Sequence, residues 1–238
     1  MKIRTTLFIP TFNEIEGLKV IMPKIKKEWV DEIIFIDAGS TDGTLEYLRE
    51  YGFDVRLQTL PGTIGAWWEG FEAATGDVII PFSPDGNSIP ELIPALIQKM
   101  EEGYDMVVAS RYKSGAKSED DDAASAWANY LFNRIINFFF RSDYTDALVM
   151  YRAFRKDLLK QLGFSRDTAK LFNLYNIGLY DVLLSVRCAK AGRKVTEIPG
   201  DEPDRIGGGK ESRAHPTKWR KSYNGLLMLF NIFSEYFR

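Results

Sequence analysis

Residues 5–110 constrain the fold through one repeated pattern. Short apolar runs, each closed by polar turn residues, alternate with amphipathic stretches of helical period. Leu7-Phe8-Ile9, Ile33–Ile36, Asp54–Leu57, Asp77–Phe82 and Asp105–Ala109 read as strands. Glu16–Trp29, Thr41–Tyr51, Ile64–Ala74 and Pro90–Glu102 read as helices, the first with Leu18, Ile21, Met22 and Ile25 on one face. Such alternation predicts an α/β fold, a mostly parallel, Rossmann-like sheet flanked by helices. Right-handed crossovers would align the carboxyl ends of the strands on one rim, where ligands bind in such sheets. Pro10–Glu14, Asp37–Ser40, Ser83–Asn87 and Ser110-Arg111 all lie at such ends.

The texture changes after Arg111. Lys113–Asp122 reads as a polar, acidic loop and Ala123–Phe140 as a long helix ending in three phenylalanines. Asp181–Ala191 reads as a helix, Lys194–Ile198 as a strand and Gly200–Pro216 as a flexible Gly-rich loop. Thr217–Arg238 reads as an amphipathic helix, with Trp219, Tyr223, Leu226, Leu227, Phe230 and Phe233 at helical spacing. Without repeats or a low-complexity linker, residues 1–238 are expected to form one domain, in three parts: 1–112, 113–216 and 217–238. Hydrophobic content of 45% and charged content of 27% exclude wholesale disorder. A net charge of -2 argues against a generic nucleic-acid binder. The single cysteine, Cys188, excludes a disulfide framework and a Cys-based zinc site. No window approaches the ~20 apolar residues of a membrane span, and Pro10 interrupts the first apolar run too early for a signal peptide. A soluble or peripheral protein of the cytoplasm is expected.

Several segments carry a family resemblance. Ile9–Glu14, Ile36–Thr44, Gly70–Asp77, Pro84–Glu91 and Tyr104–Tyr112 follow in order, and Glu197–Pro199, Asp204-Arg205 and Gly207–Ser212 complete the set. The chain thereby resembles the family-two glycosyltransferases of the GT-A fold, and within them the dolichyl-phosphate or polyprenyl-phosphate mannose or glucose synthases. The resemblance implies metal-dependent, inverting transfer from a nucleoside-diphosphate sugar to a polyprenyl phosphate or a hydroxyl. Residues 1–112 would be the nucleotide-sugar half and 113–216 the acceptor half.

The implied site residues follow. A divalent cation, Mg or Mn, would neutralise the donor diphosphate. Asp85 is its expected ligand, with Asn87 adding a carbonyl oxygen or holding a metal-bound water, and His215, the only histidine, completing the set. The subgroup's usual first acid is replaced here by Ser83. Pro10, Phe12, Glu14 and Asp37 are expected around the base and ribose, with Ser40 and Asp42 capping the next helix. Arg111, Arg205 and Lys210 are expected on phosphate. Asp146 is the candidate base for a hydroxyl acceptor, since a phosphate acceptor needs none.

Three features pull elsewhere. Ala38 stands where a second acid is usual, and Trp67-Trp68 are candidates either for core or for narrowing the donor pocket. Glu119–Asp122 would repel a phosphate acceptor and reads first as a solvated loop. Ser83, Ala38 and the acidic run support an alternative, a catalytically degenerate nucleotide-binding scaffold of the same fold. A nucleotidyltransferase would carry a Gly-rich basic loop after the first strand, where this chain has Pro10–Glu14. The aromatic helices predict either peripheral membrane contact or a homodimer interface.

Overall fold

The computed structural model describes residues 3–174, 180–206 and 218–237. Its strands are β1 (Thr5–Thr11), β2 (Glu32–Asp37), β3 (Asp54–Leu57), β4 (Val78–Pro81), β5 (Met106–Ser110), β6 (Arg152–Arg155) and β7 (Val195–Pro199). They form one sheet in the order β3-β2-β1-β4-β6-β5-β7. All pairings are parallel except those of β6, which runs antiparallel to both neighbours. The α-helices are α1 (Ile15–Ile21), α2 (Thr44–Glu50), α3 (Gly62–Ala73), α4 (Ile93–Glu101), α5 (Ala123–Phe140), α6 (Lys156–Gln161), α7 (Arg166–Leu174), α8 (Tyr180–Lys190) and α9 (Lys218–Phe237).

The predicted parallel sheet is present, and its central strands are buried on both faces, as continuous apolar sequences require. Phe8 of β1 packs edge-on against Trp67 and Phe71 of α3, which places Trp67 in the core. Trp68 is part-buried and donates its indole N–H to Glu72.

Two readings are corrected. The expected helix over 16–29 stops at Ile21, and Met22–Lys24 and Lys27–Trp29 continue only as single 3-10 turns. Pro23 lacks the N–H that a longer helix needs. Strand β6 was unforeseen. Its sequence, Arg-Ala-Phe-Arg, reads as polar, yet Arg152 is fully buried. The Arg152 guanidinium donates to the carbonyls of Val149, Ala147 and Asp181 and to Ser185 Oγ, so its charge is met by oxygens rather than by water.

Helix α1 fixes the position of the turn after β4. A Cβ at Gly17 would lie 3.1 Å from the Pro84 carbonyl carbon and 3.2 Å from Asp85 Cα, closer still to the Pro84 oxygen. Gly17→Ala is therefore expected to cost about 1–3 kcal/mol by overpacking and to displace Asp85. Urea unfolding, compared with the exposed-site variant Val20→Ala, measures the cost.

Candidate active site

The loops after β1 and β2 are stitched together by the polar residues of the two N-terminal motifs. Asp37 is fully buried. Its Oδ1 accepts from the Gly39 and Ser40 N–H groups at 2.9 and 2.8 Å, and its Oδ2 from Thr11 Oγ1 and Ser40 Oγ at 2.8 and 2.7 Å. Asn13, at a positive φ of 56°, accepts at Oδ1 from Thr41 N, while its own N–H donates to Ser40 Oγ. Asp42 accepts from Ile15 N and Thr44 N. It thus serves the starts of two helices, whereas Ser40 bonds Asp37 and Asn13 and caps neither. Asp37, expected at the base or ribose, has both oxygens engaged within the loop.

Above this platform lies a cavity of about 520 Å³. The sheet order sets out its lining: Gln58 after β3, Ala38 after β2, Pro10, Phe12 and Glu14 at β1, Ser83 and Asp85 after β4, then Met150 before β6. Trp67 of α3, Tyr180 and Asp181 of α8, and Arg205 beyond β7 complete the wall. A smaller cavity of about 150 Å³ shares Ser83, Asp85, Met150 and Arg205, and adds Asn87, Arg111 and Glu202.

Asp85 Oδ1 accepts from Ser83 Oγ at 2.6 Å and from Asn87 N at 3.2 Å, and Oδ2 lies 3.6 Å from Arg205 Nη1. Ser83 thus supports the carboxylate that follows it. The Asn87 amide nitrogen donates toward Asp120 at 3.2 Å and Glu202 at 3.5 Å, which fixes the amide orientation. Asn87 Oδ1 is buried and has no hydrogen-bond partner. A carboxylate and an orphaned amide oxygen two residues apart suit a hard cation. No group of three or more His, Cys, Asp or Glu placed to hold a metal occurs among the described residues. His215 and Lys210 lie outside the described residues.

Arg111 was expected on phosphate and Asp146 as a base; the structure instead joins them to each other. Arg111 donates from Nε at 2.7 Å and Nη2 at 3.0 Å to the fully buried Asp146, and from Nη1 at 3.2 Å to Glu202. Burial alone would lower the Arg111 pKa, but the bonds to Asp146 outweigh it and hold the pKa above its usual value. An arginine so held has little to offer a phosphate, and a carboxylate so buried cannot reach an acceptor hydroxyl.

The acidic run is not a free solvated loop. Asp120 receives the Arg205 guanidinium at 3.0 and 3.2 Å. Asp121 accepts from Tyr112 Oη and lies 3.8 Å from Arg111. Asp122 caps α5 through Ser125 N at 2.7 Å. Three acids of the run thus have specific partners.

Sequence reasoning missed Asp181 and Tyr180. Asp181 lines the large cavity, 20% exposed and 3.9 Å from Arg152 Nε. Its Oδ1 has no hydrogen-bond partner, nor does Tyr180 Oη beside it. Burial raises the Asp181 pKa to about 6, with Arg152 opposing the shift. An acid at the head of a helix ordinarily reads as a cap, so only the fold distinguishes this one.

The profile of Glycosyl transferase family 2 matches residues 6–163. An undecaprenyl-phosphate mannosyltransferase of Micrococcus luteus is 26% identical over 209 residues, 82% of each chain. An undecaprenyl-phosphate 4-deoxy-4-formamido-L-arabinose transferase of Pectobacterium atrosepticum is 31% identical over 66% of this chain, which spans 50% of that enzyme. The fold matches glucosyl-3-phosphoglycerate synthase from Mycobacterium tuberculosis, solved with Mn2+, UDP and phosphoglyceric acid. The TM-score is 0.64 at 17% identity, covering 98% of this chain and 78% of that one.

Removing Asp146 would strand the Arg111 charge in the interior. Asp146→Ala is expected to destabilise the protein by about 3–5 kcal/mol. Chemical denaturation measures this; a loss under 1 kcal/mol would show the pair to be solvated.

Proposed function

This chain belongs to glycosyl transferase family 2 and is a glycosyltransferase with the GT-A fold; from that premise, we propose that it moves a sugar from a nucleoside diphosphate to a polyprenyl phosphate. The observation that carries the reading is the rim cavity, which brings an apolar and acidic base site, Asp85 with Arg205, and Asp181 into one space. The names of the Micrococcus and Pectobacterium relatives support the lipid-phosphate acceptor.

Donor binding is assigned to Pro10, Phe12, Glu14 and Gln58 for the nucleoside and to Arg205 for the diphosphate. Asp85 and Asn87 are the residues that would hold a divalent cation, whose chemistry is to neutralise charge on the leaving diphosphate. The charge balance supports that need. Two guanidiniums, Arg111 and Arg205, face five carboxylates within 4 Å: Asp85, Asp120, Asp121, Asp146 and Glu202. A diphosphate entering such surroundings would meet excess negative charge. The acceptor oxygen attacks the anomeric carbon opposite the diphosphate, which departs with the bonding pair and leaves an inverted centre.

Calorimetric titration with UDP, GDP and CDP, with and without Mn2+ or Mg2+, tests the donor reading. One nucleotide should bind only with metal, and Asp85→Ala should weaken it by about 10-fold or more through loss of a charged ligand. Failure of all three to bind folded protein would favour the scaffold alternative.

Asp181 supports a second reading, a hydroxyl acceptor whose proton Asp181 removes. With a pKa of about 6, transfer to a hydroxyl would rise with pH through that value and then level off. Asp181→Asn would abolish it, yet leave transfer to a phosphate within a few-fold. Stability runs the other way. The raised folded-state pKa leaves Asp181 without penalty below its usual 3.8, and the cost grows as pH climbs toward about 6. Asp181→Asn should therefore stabilise the protein at pH 7 by up to ~3 kcal/mol and hardly at all at pH 4. Denaturation at both pH values reads the difference.

A further inference from the structure

We infer that α5 and α9 together form a docking face for an anionic lipid bilayer. The two helices run side by side in the same direction. The Cβ position of Gly225 lies 3.9 Å from the Phe132 ring, and Phe139 meets Phe233 and Tyr236 at ring-centroid distances of 5.2 and 5.0 Å. Contacts between rings continue outward, from Phe139 to Phe138 and from Tyr236 to Phe237.

Large apolar groups are exposed along both helices at one-face spacing. On α5 these include Trp127 (66% exposed) and Phe138 (79%), and on α9 Phe230 (70%) and Phe237 (82%). Phe138 and Phe237, joined through Phe139 and Tyr236, form a continuous patch rather than isolated exposed residues, with Trp127 and Phe230 further along the same helix faces.

Charge decides the occupant. Helix α5 contains no Asp or Glu, and the one acid of α9, Glu235, is buried and paired with Arg187 at 2.6 Å. Arg134 and Arg141 are exposed on and just beyond α5, and the sequence of α9 opens with Lys218, Arg220 and Lys221. The exposed carboxylates that flank α5 directly are Asp122 at its start and Asp143 past its end, two against the five basic residues named. In a chain of net charge -2 this is a local basic surplus. A second copy, self-paired about a two-fold axis, would bring like charges together. An anionic bilayer meets them with opposite charge, while the rings enter the headgroup boundary. None of the helices searched among the described residues is long and apolar enough to cross a membrane, so contact through this face would be peripheral. The inference stands on α5 and α9 alone and does not require the polyprenyl-phosphate reading.

The test is cosedimentation of the full chain with phosphatidylcholine vesicles, with or without about 30% phosphatidylglycerol, enough to give an anionic surface. Wild type should pellet with the anionic vesicles, less so as salt rises. Brominated lipid should quench its tryptophan fluorescence, an effect reduced in Trp127→Phe. Phe138→Ser with Phe230→Ser, and separately Arg134→Glu with Arg141→Glu, should each weaken binding by about tenfold or more. The arginine pair is exposed, so it keeps the test valid if the serine pair unfolds. Nucleotide binding should be unchanged in both; vesicle binding by a wild type that binds no nucleotide would overturn the functional reading and leave this one standing. A wild type that stays in the supernatant would overturn it. So would a soluble dimer that the phenylalanine changes convert to monomer.

Discussion

The site depends on one buried ion pair. Arg111 leaves the end of β5, Asp146 lies on the segment before β6, and Glu202 follows β7. A single guanidinium therefore ties three neighbouring strands together at the rim where the cavities open. Asp146 is held from behind, because Glu197 of β7 accepts from the Thr145 and Asp146 N–H groups. Asn133 of α5 bonds both Thr145 O and Ala147 N. Buried charges persist only when paired and hydrogen-bonded, so each of these bonds is a condition for the others. The cost of that rigidity is chemical: Arg111 and Asp146 satisfy each other's charge, while Arg205 and Asp181 line the larger cavity.

What the sequence reveals, and what it conceals, follows from the range of the forces involved. The parallel strands were legible because Leu7–Ile9 and Val107–Ala109 are buried on both faces and cannot avoid being apolar. The Asp85 turn was legible because its partners, Ser83 and Asn87, lie within two residues. The Arg111–Asp146 and Arg111–Glu202 contacts span 35 and 91 residues, and no local spacing records them. Strand β6 was hidden by Arg152, whose charge is met in part by Asp181 O and Ser185 Oγ, which reach it only once α8 has packed.

The motifs that carry the family resemblance are less a list of ligand contacts than a set of braces. Asn13, Asp37, Ser40 and Asp42 direct their polar atoms at one another's loops. Their task is to hold backbone in conformations, such as the positive φ of Asn13, that would otherwise be disfavoured. Of the side chains that face the cavity, Pro10, Phe12 and Asp85 lie within the motifs, while Gln58, Met150 and Asp181 fall between or beyond them, where the sequence carries no comparable constraint.

The acidic run shows how this platform connects to the rest of the molecule. Asp120 holds Arg205 at the cavity, Asp121 holds Tyr112 after β5, and Asp122 starts α5. Asn129, two turns into α5, bonds both Tyr112 Oη and Asp121. Helix α5 is thereby anchored at its first turns to the residues around the cavity, while its far end carries Phe138 at the aromatic face. A rigid 18-residue helix is ~27 Å long at 1.5 Å per residue. Any diphosphate that draws Arg205 toward itself must loosen its contact with Asp120, the first link in this chain. Arg205 at the cavity and the first turns of α5 are thus held by adjacent carboxylates, in a run that sequence reading took first as a solvated loop.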